Sequence, residues 1–287
     1  MASLEPTARR SWRRWRGHLL EGLCGAAAFI GVGALLAIFL AIAVKGIGAL
    51  NLDFFTKTPA PAGETGGGVA NAIVGTLVIV AIAALIALPI GVGAGTYLAE
   101  YGRGRFPDLV RLLADVLTGV PSIVVGLLAY QLVVVRMHHF SALAGGVALA
   151  ALMLPPIVRT TEEILRRVPR EYTEAALALG APRWRAILQI GYPAAAGGLI
   201  TGIMLALARA AGETAPLLFT AFGNTFWNVN PTQPTAALPL QIYQYAISPY
   251  DDWHRQAWAA ALVLVTLVLI VSAIARIATR SSMTARR

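Results

Sequence analysis

An arginine and a glutamate four residues apart are the residues in this sequence best suited to chemistry. Arg209 and Glu213 lie in the otherwise apolar run LALARAAGETAPLLFT, residues 205–220. A guanidinium offers donors in a planar fork that fits phosphate oxygens, and a residue four positions on shares its helix face. An arginine near the middle of a membrane helix costs roughly 2.5–3.5 kcal/mol, so it should face a polar cavity or a partner. The spacing predicts an anion site, a structural ion pair, or both.

Ser122 is a second candidate for a substrate pathway. It follows a proline in the segment GVPSIVVG, residues 119–126, which combines a helix kink, a hydroxyl and small residues. A proline frees backbone groups that can line a pathway through a membrane. No catalytic residue and no metal site are predicted, because the histidine pair His138 and His139 has no matching carboxylates and the chain has one cysteine.

The composition indicates a membrane protein. In such a protein, membrane-spanning helices would position Arg209, Glu213 and Ser122. Of 287 residues, 57% are hydrophobic and 13% are charged, against about 25% charged in soluble domains. Six apolar runs approach or exceed the roughly 20 residues that a bilayer core requires: 20–43, 69–98, 110–135, 142–158, 194–222 and 257–277. We therefore predict an all-α integral membrane protein with six transmembrane helices. The fourth run ends in a proline pair, Pro155 and Pro156, which is expected to stop or kink its helix.

The basic residues predict the orientation in the membrane. Eighteen of the 23 lysines and arginines lie in the two tails or in the connections between spans two and three and between spans four and five. Only four lie on the other side. Cytoplasmic segments carry the excess of positive charge, so both termini are predicted to be cytoplasmic, with basic tails at 1–19 and 278–287. The net charge of +9 then reflects topology, and nucleic acid is not an expected partner.

The charged connection at 159–185 is predicted to fold rather than to stay disordered. Apolar residues recur in it at close to helical spacing. Pro169 suits the first turn of a helix and Gly180 suits its end, so we expect two short amphipathic helices. They would lie at the cytoplasmic face, either on the membrane surface or as a docking element for a cytoplasmic partner.

A motif in this connection resembles a known family. The run EAALALG at 174–180 is followed, after nine residues, by IGYP at 190–193. This resembles the E-A-A-x3-G-x9-I-x-L-P signature of permease subunits of bacterial ABC importers, with Tyr192 where leucine is usual. In that family the loop forms coupling helices that dock in a groove of the ATPase subunit. The resemblance implies this ATPase-coupling role for Glu174, Ala175, Ala176 and Gly180.

Further segments narrow the resemblance. The RAAGETAPLL run at 209–218, the GVPSIV segment at 119–124 and the stretch from Leu154 to Pro169 together are similar to the phosphate-specific importers, and within them to the second of the two permeases. The resemblance covers about Gly66 to Phe222 and implies a type I importer permease fold over 20–277, with a core at 69–277 and the coupling loop at 160–191. In that family an intramembrane arginine and glutamate are implicated in phosphate passage, which implies this role for Arg209 and Glu213.

The resemblance implies a complete importer around this chain. Half of the phosphate pathway would come from a homologous permease, and a periplasmic or surface phosphate-binding protein would deliver inorganic phosphate. Two copies of a cytoplasmic ATP-binding subunit would carry ATP-Mg, since this sequence has no G-x-x-x-x-G-K-[ST] phosphate loop and no cofactor is expected on it. Membrane lipid would surround the spans. The alternatives are an importer of another oxyanion, sulfate or molybdate, and a non-transporting membrane assembly subunit.

Overall fold

The computed structural model describes residues 8–284, and it describes side chains for Trp12 and for 15–277. The predicted basic tails at 1–19 and 278–287 therefore lie largely outside the described side chains. Across the described residues the structure is helical, and β pairing is confined to two isolated bridges, Pro59 with Gly67 and Phe222 with Thr235.

Thirteen helices follow one another in the described part of the chain. They are α1 (Ala8–Ile47), α2 (Leu52–Thr56), α3 (Ala70–Glu100), α4 (Arg105–Gly119), α5 (Ser122–Ala129), α6 (Val135–Met137), α7 (Ala142–Arg166), α8 (Arg170–Ala178), α9 (Arg183–Ala186), α10 (Tyr192–Ala211), α11 (Ala215–Thr220), α12 (Leu238–Ala246) and α13 (Asp251–Thr284). Single π-helical turns join α5 to α6 and α9 to α10.

Five of the described helical segments are long and apolar enough to cross a membrane. They are Trp15–Ile47, Ala70–Glu100, Ala142–Arg166, Arg183–Ala211 and Asp251–Ile277. A sixth span arises if α4 and the α5–α6 segment count as one broken helix, which is bent by 105° between them. The six-span prediction is thus confirmed, with one span in two pieces.

The third predicted span, residues 110–135, is wrong as a continuous helix. The helix stops at Gly119, and Val120 and Pro121 are both extended, with ψ angles of 131° and 135°. The residue before a proline is pushed out of the helical region by the proline ring. Pro121 thereby separates an amphipathic helix, α4, from an apolar one, α5.

The fourth predicted span also differs, because its helix does not end at the proline pair. α7 continues through Pro155 and Pro156 as far as Arg166. Freed backbone groups are tolerated where neighbouring helices enclose them, and α7 is the most enclosed of the spans, with 61% of its apolar window buried. The first of the two predicted short helices is therefore the end of α7. The second is confirmed as α8, which begins directly after Pro169.

Helices α3 and α7 form the centre of the bundle. Their contact contains Ile79, Ala83, Leu149 and Met153, all at most 1% exposed. Small residues bring the two backbones together: a Cβ on Gly95 would lie 2.6 Å from both Thr161 Cβ and Val158 O. By contrast, none of the apolar window of α1 is buried, as befits a helix surrounded by lipid.

Replacing Gly95 with valine should destabilise this contact by about 1–3 kcal/mol, the usual cost of overpacking a tight interface. Thermal unfolding of the purified protein in detergent measures the effect. Gly93→Val is the matched control, since Gly93 lies on the same helix with no atom within 4 Å of its added Cβ. Equal losses in the two variants would show that the α3–α7 contact is not responsible.

Candidate functional site

The predicted charge pair lies at a break between two helices. The fifth predicted span, 194–222, was expected to be one helix, but α10 ends at Ala211 and α11 begins at Ala215. Arg209 is therefore in the last turn of α10, not near the middle of a helix, and Glu213 follows the end of that helix. A proline in the first turn of α11 explains the new helix start, because its missing N–H has no partner to lose there.

The pair still forms across the break. Arg209 Nε lies 3.6 Å from Glu213 Oε1, and 61% of the arginine side chain but only 19% of the glutamate side chain is exposed. The backbone turn at the break holds the two together through hydrogen bonds from Gly212 N to Arg209 O and from Glu213 N to Ala210 O. The guanidinium retains donors that Glu213 does not engage, so the arrangement can accept a further anion.

Ser122 lies at the other helix break. It is the first residue of α5 and is partly buried. α5 packs on α11 so closely that a Cβ on Gly126 would lie 2.5 Å from Pro216 Cα. Both helices run toward the end of the bundle where Ser141 N donates to Thr220 O. The helices that follow the two breaks therefore pack side by side, although Ser122 has no hydrogen bond to Arg209 or Glu213 among the described residues.

The coupling loop presents α8 on the surface. Glu174, Ala175 and Gly180 are exposed, whereas Ala176 is buried against the rest of the chain. Gly180 has φ +83°, and hydrogen bonds from Gly180 N to Leu177 O and from Ala181 N to Ala176 O close the helix. This is the left-handed helix end that glycine favours.

Several apolar side chains of this loop have no cover within the described chain. Tyr172, Leu179 and Trp184 are 56%, 89% and 56% exposed. Behind α8 lies a cavity of ≈ 520 Å³, which Glu174 lines together with Arg103, Arg170 and Arg183 among others. An exposed apolar surface beside a charged groove is typical of a docking site.

Sequence reasoning missed a buried carboxylate at the same end of the bundle. The side chain of Glu162 on α7 is only 3% exposed and pairs with Arg111, Arg159 and Arg166. The signal in the sequence was an acidic residue at helical spacing from two arginines, but the third partner is 51 residues away.

The connection at 223–250 offers another exposed surface, at the end of the bundle opposite to α8. Side-chain oxygens of Asn224, Asn228 and Asn230 each accept a hydrogen bond from a backbone N–H two residues on. These turns present Phe226 and Trp227, which are 77% and 55% exposed.

A family model described as "Binding-protein-dependent transport system inner membrane component" matches residues 87–282 of this chain. The chain belongs to this family. The match covers all helices from the end of α3 to most of α13, and so it includes both helix breaks and the coupling loop. The predicted family and the all-α importer permease fold are confirmed.

Named members of this transport family are similar over most of their length. The phosphate transport system permease protein PstA of Haemophilus influenzae is 47% identical over 93% of this chain and 94% of its own. PstA of Xylella fastidiosa strain Temecula1 is 51% identical over 81% of each chain. A probable phosphate transport system permease protein PstA of Methanocaldococcus jannaschii is 35% identical over 93% of this chain and 95% of its own.

A solved structure of the family's fold is also similar. The MetNI methionine ABC transporter in an inward-facing conformation matches with a TM-score of 0.57 and 21% identity, over 75% of this chain and 94% of the matched chain. This likeness concerns the fold alone.

Substitutions at Gly180 should separate backbone strain from contact at the coupling loop. Gly180→Val forces a β-branched residue into the left-handed region, whereas asparagine tolerates it. The left-handed conformation costs such a residue roughly 1–2 kcal/mol, which would speed amide exchange at positions 180 and 181 of the valine variant by about 5- to 30-fold. Hydrogen exchange with mass spectrometry measures this, and Gly180→Asn is the control. Since no atom lies within 4 Å of an added Cβ, equal acceleration in both variants would contradict the conformational explanation.

Proposed function

We propose that this chain is a transmembrane permease subunit of an ATP-driven importer of inorganic phosphate. The observation that carries the proposal is its high identity, over most of both chains, to permeases named for phosphate transport. The fold agrees, because it combines spans for a bilayer, a surface for coupling and an arginine with free donors at a helix break. Neither an importer of another oxyanion nor a membrane assembly protein has comparable support.

Arg209 and Glu213 are the proposed phosphate-pathway residues, with Ser122 at the neighbouring break. The open face of Arg209 supports this role, since a guanidinium matches phosphate geometry. Glu213 offsets part of its charge, which favours release, and transport requires binding that is weak enough to be reversed. One chain with one such arginine cannot enclose an anion, so a homologous permease supplies the other half of the pathway.

The two ends of the bundle take different partners in this proposal. The end that carries α8 faces the cytoplasm together with both termini. There Glu174, Ala175 and Gly180 dock on one of two copies of an ATP-binding subunit, which holds ATP-Mg, and the buried Ala176 packs α8 against the rest of this chain. The opposite end receives phosphate from a binding protein, and the exposed Phe226 and Trp227 support a docking surface there. Lipid covers the apolar face of α1.

Uptake of labelled phosphate tests the role of Arg209. The full set of subunits is expressed in cells that lack other phosphate importers, and Arg209→Ala should lower uptake by about 10- to 150-fold, since a hydrogen bond to a charged group contributes roughly 1.5–3 kcal/mol. Arg255→Ala is the matched control, because Arg255 is likewise an exposed arginine paired with a carboxylate nearby in the sequence, Asp252 at 2.7 Å. Membrane levels and co-purification of the partner chains are measured for each variant.

Two outcomes would contradict parts of this proposal. Unchanged uptake in a normally assembled Arg209→Ala complex would make the pair with Glu213 a structural one. In competition assays, unlabelled phosphate should displace the label and sulfate or molybdate should not. If a native complex imports sulfate or molybdate but no phosphate, the substrate assignment is wrong.

A further inference from the structure

Glu162 is the buried centre of an ion cluster that the pathway does not include. Its Oε1 accepts a hydrogen bond from Arg111 Nε at 2.7 Å and lies 2.8 Å from Arg166 Nη2, and its Oε2 accepts a hydrogen bond from Arg159 Nη1 at 3.4 Å. Only 3% of the side chain is exposed. Removing one partner of a buried ion pair is strongly destabilising. The partners of Glu162 are therefore expected to hold their helices together.

Arg111 connects three helices with a single guanidinium. From α4 it reaches Glu162 on α7, and its Nη2 donates to the carbonyls of Leu98 and Gly102 at the end of α3, each at 3.2 Å. Its Nη1 donates to Asp108 at 2.6 Å. The donors point in several fixed directions, which a lysine ammonium on a flexible stem cannot reproduce. A Cβ on Gly102 would lie 2.7 Å from Arg111 Nη2, so the fit is close.

A second ion pair fixes α4 on α7 one turn further on. Arg159 Nη2 donates to Asp115 Oδ2 at 3.0 Å, and Arg159 Nε lies 2.9 Å from Asp115 Oδ1. On α4 and α7, Arg111 thus pairs with Glu162 and Asp115 pairs with Arg159, so each helix contributes one positive and one negative charge. Two such contacts on successive turns prevent α4 from sliding along α7.

The position of this cluster connects the coupling loop with the helix breaks. α7 ends at Arg166, and α8 begins at Arg170. At its other end α4 leads through Val120 and Pro121 into α5, which packs on α11 beside the break that contains Glu213. A rigid α4 therefore links a displacement of α8 to both helix breaks.

We propose that Glu162 and Arg111 are positioning residues for transport, which transmit displacement of the coupling helix α8 to the pathway through α4. This inference rests on the proposed function, but it assigns these two residues a role that neither the coupling surface nor the pathway itself requires. Neither residue touches phosphate in this scheme. Their effect is on how much transport each hydrolysed ATP produces.

The test uses the complete complex in proteoliposomes, with its ATPase and phosphate-loaded binding protein. Glu162→Gln should lower the ratio of phosphate imported to ATP hydrolysed by about 2- to 30-fold, the range for residues that couple two sites without touching either ligand. This ratio does not depend on the amount of assembled complex, so mere loss of stability leaves it unchanged. Glu163→Gln is the matched control, since it makes the same charge change on an exposed neighbour.

A second variant and a second readout cover the case in which Glu162→Gln does not assemble. Arg111→Lys keeps the charge but loses the fork, so it should lower the same ratio and accelerate amide exchange in α4. A normal ratio in an assembled Glu162→Gln or Arg111→Lys complex overturns the inference, even with faster exchange. An equal drop in Glu163→Gln also overturns it. Absence of phosphate import by the native complex would overturn the proposed function and not this inference. In that case amide exchange still tests the positioning role, and unchanged exchange of α4 in Arg111→Lys would overturn it.

Discussion

The close approach of α3 and α7 is the contact on which the other helices depend. Lipid is as apolar as a leucine side chain, so helices in a membrane gain little from hydrophobic association and pack through small residues. Gly91 and Gly95 give α7 this access to α3. α7 then provides the surface for α10, where a Cβ on Gly198 would lie 2.8 Å from Ile164 Cδ1, and for α4 through the Glu162 cluster. A single enclosed helix thereby supports α4 and α10 and leads into the loop that contains α8.

That enclosure also explains where helix breaks are tolerated. Non-helical backbone within a membrane survives only where protein covers it or where it lines a polar space. α7 passes through two prolines without a break because neighbouring helices surround it. The break after Ala211 is covered as well, since Ala210 and Leu217 on either side of it are buried in the central core. The half-exposed guanidinium of Arg209 at this break also requires a polar environment, because a charged side chain is costly in hydrocarbon. The non-helical backbone after Ala211 and the charge of Arg209 therefore both require polar or protein surroundings at the same place.

The sequence predicted features that depend on local chemistry. Apolar length defined most of the spans, and Pro169 with Gly180 predicted the bounds of α8, because a proline before a helix and a glycine after it have local meanings. The effect of a proline inside an apolar run could not be predicted from the run itself. One helix ends just before Pro121, another continues through Pro155, and a third has Pro216 in its first turn. Packing from elsewhere in the chain decides among these outcomes. Glu162 was missed for the same reason, since Arg111 reaches it from 51 residues away.

The ion cluster around Glu162 and the pair of Arg209 with Glu213 differ in how completely their arginines are paired. Around Glu162, three arginines face three carboxylates, those of Asp108, Asp115 and Glu162, so the formal charges cancel and each arginine has a carboxylate partner within the chain. Arg209 faces one carboxylate at 3.6 Å and leaves most of its side chain open. A satisfied cluster can transmit force because it does not exchange partners, whereas an unsatisfied arginine can bind and release an anion. In the proposed scheme the same residue types therefore take different roles, and the number of partners around each arginine distinguishes these roles.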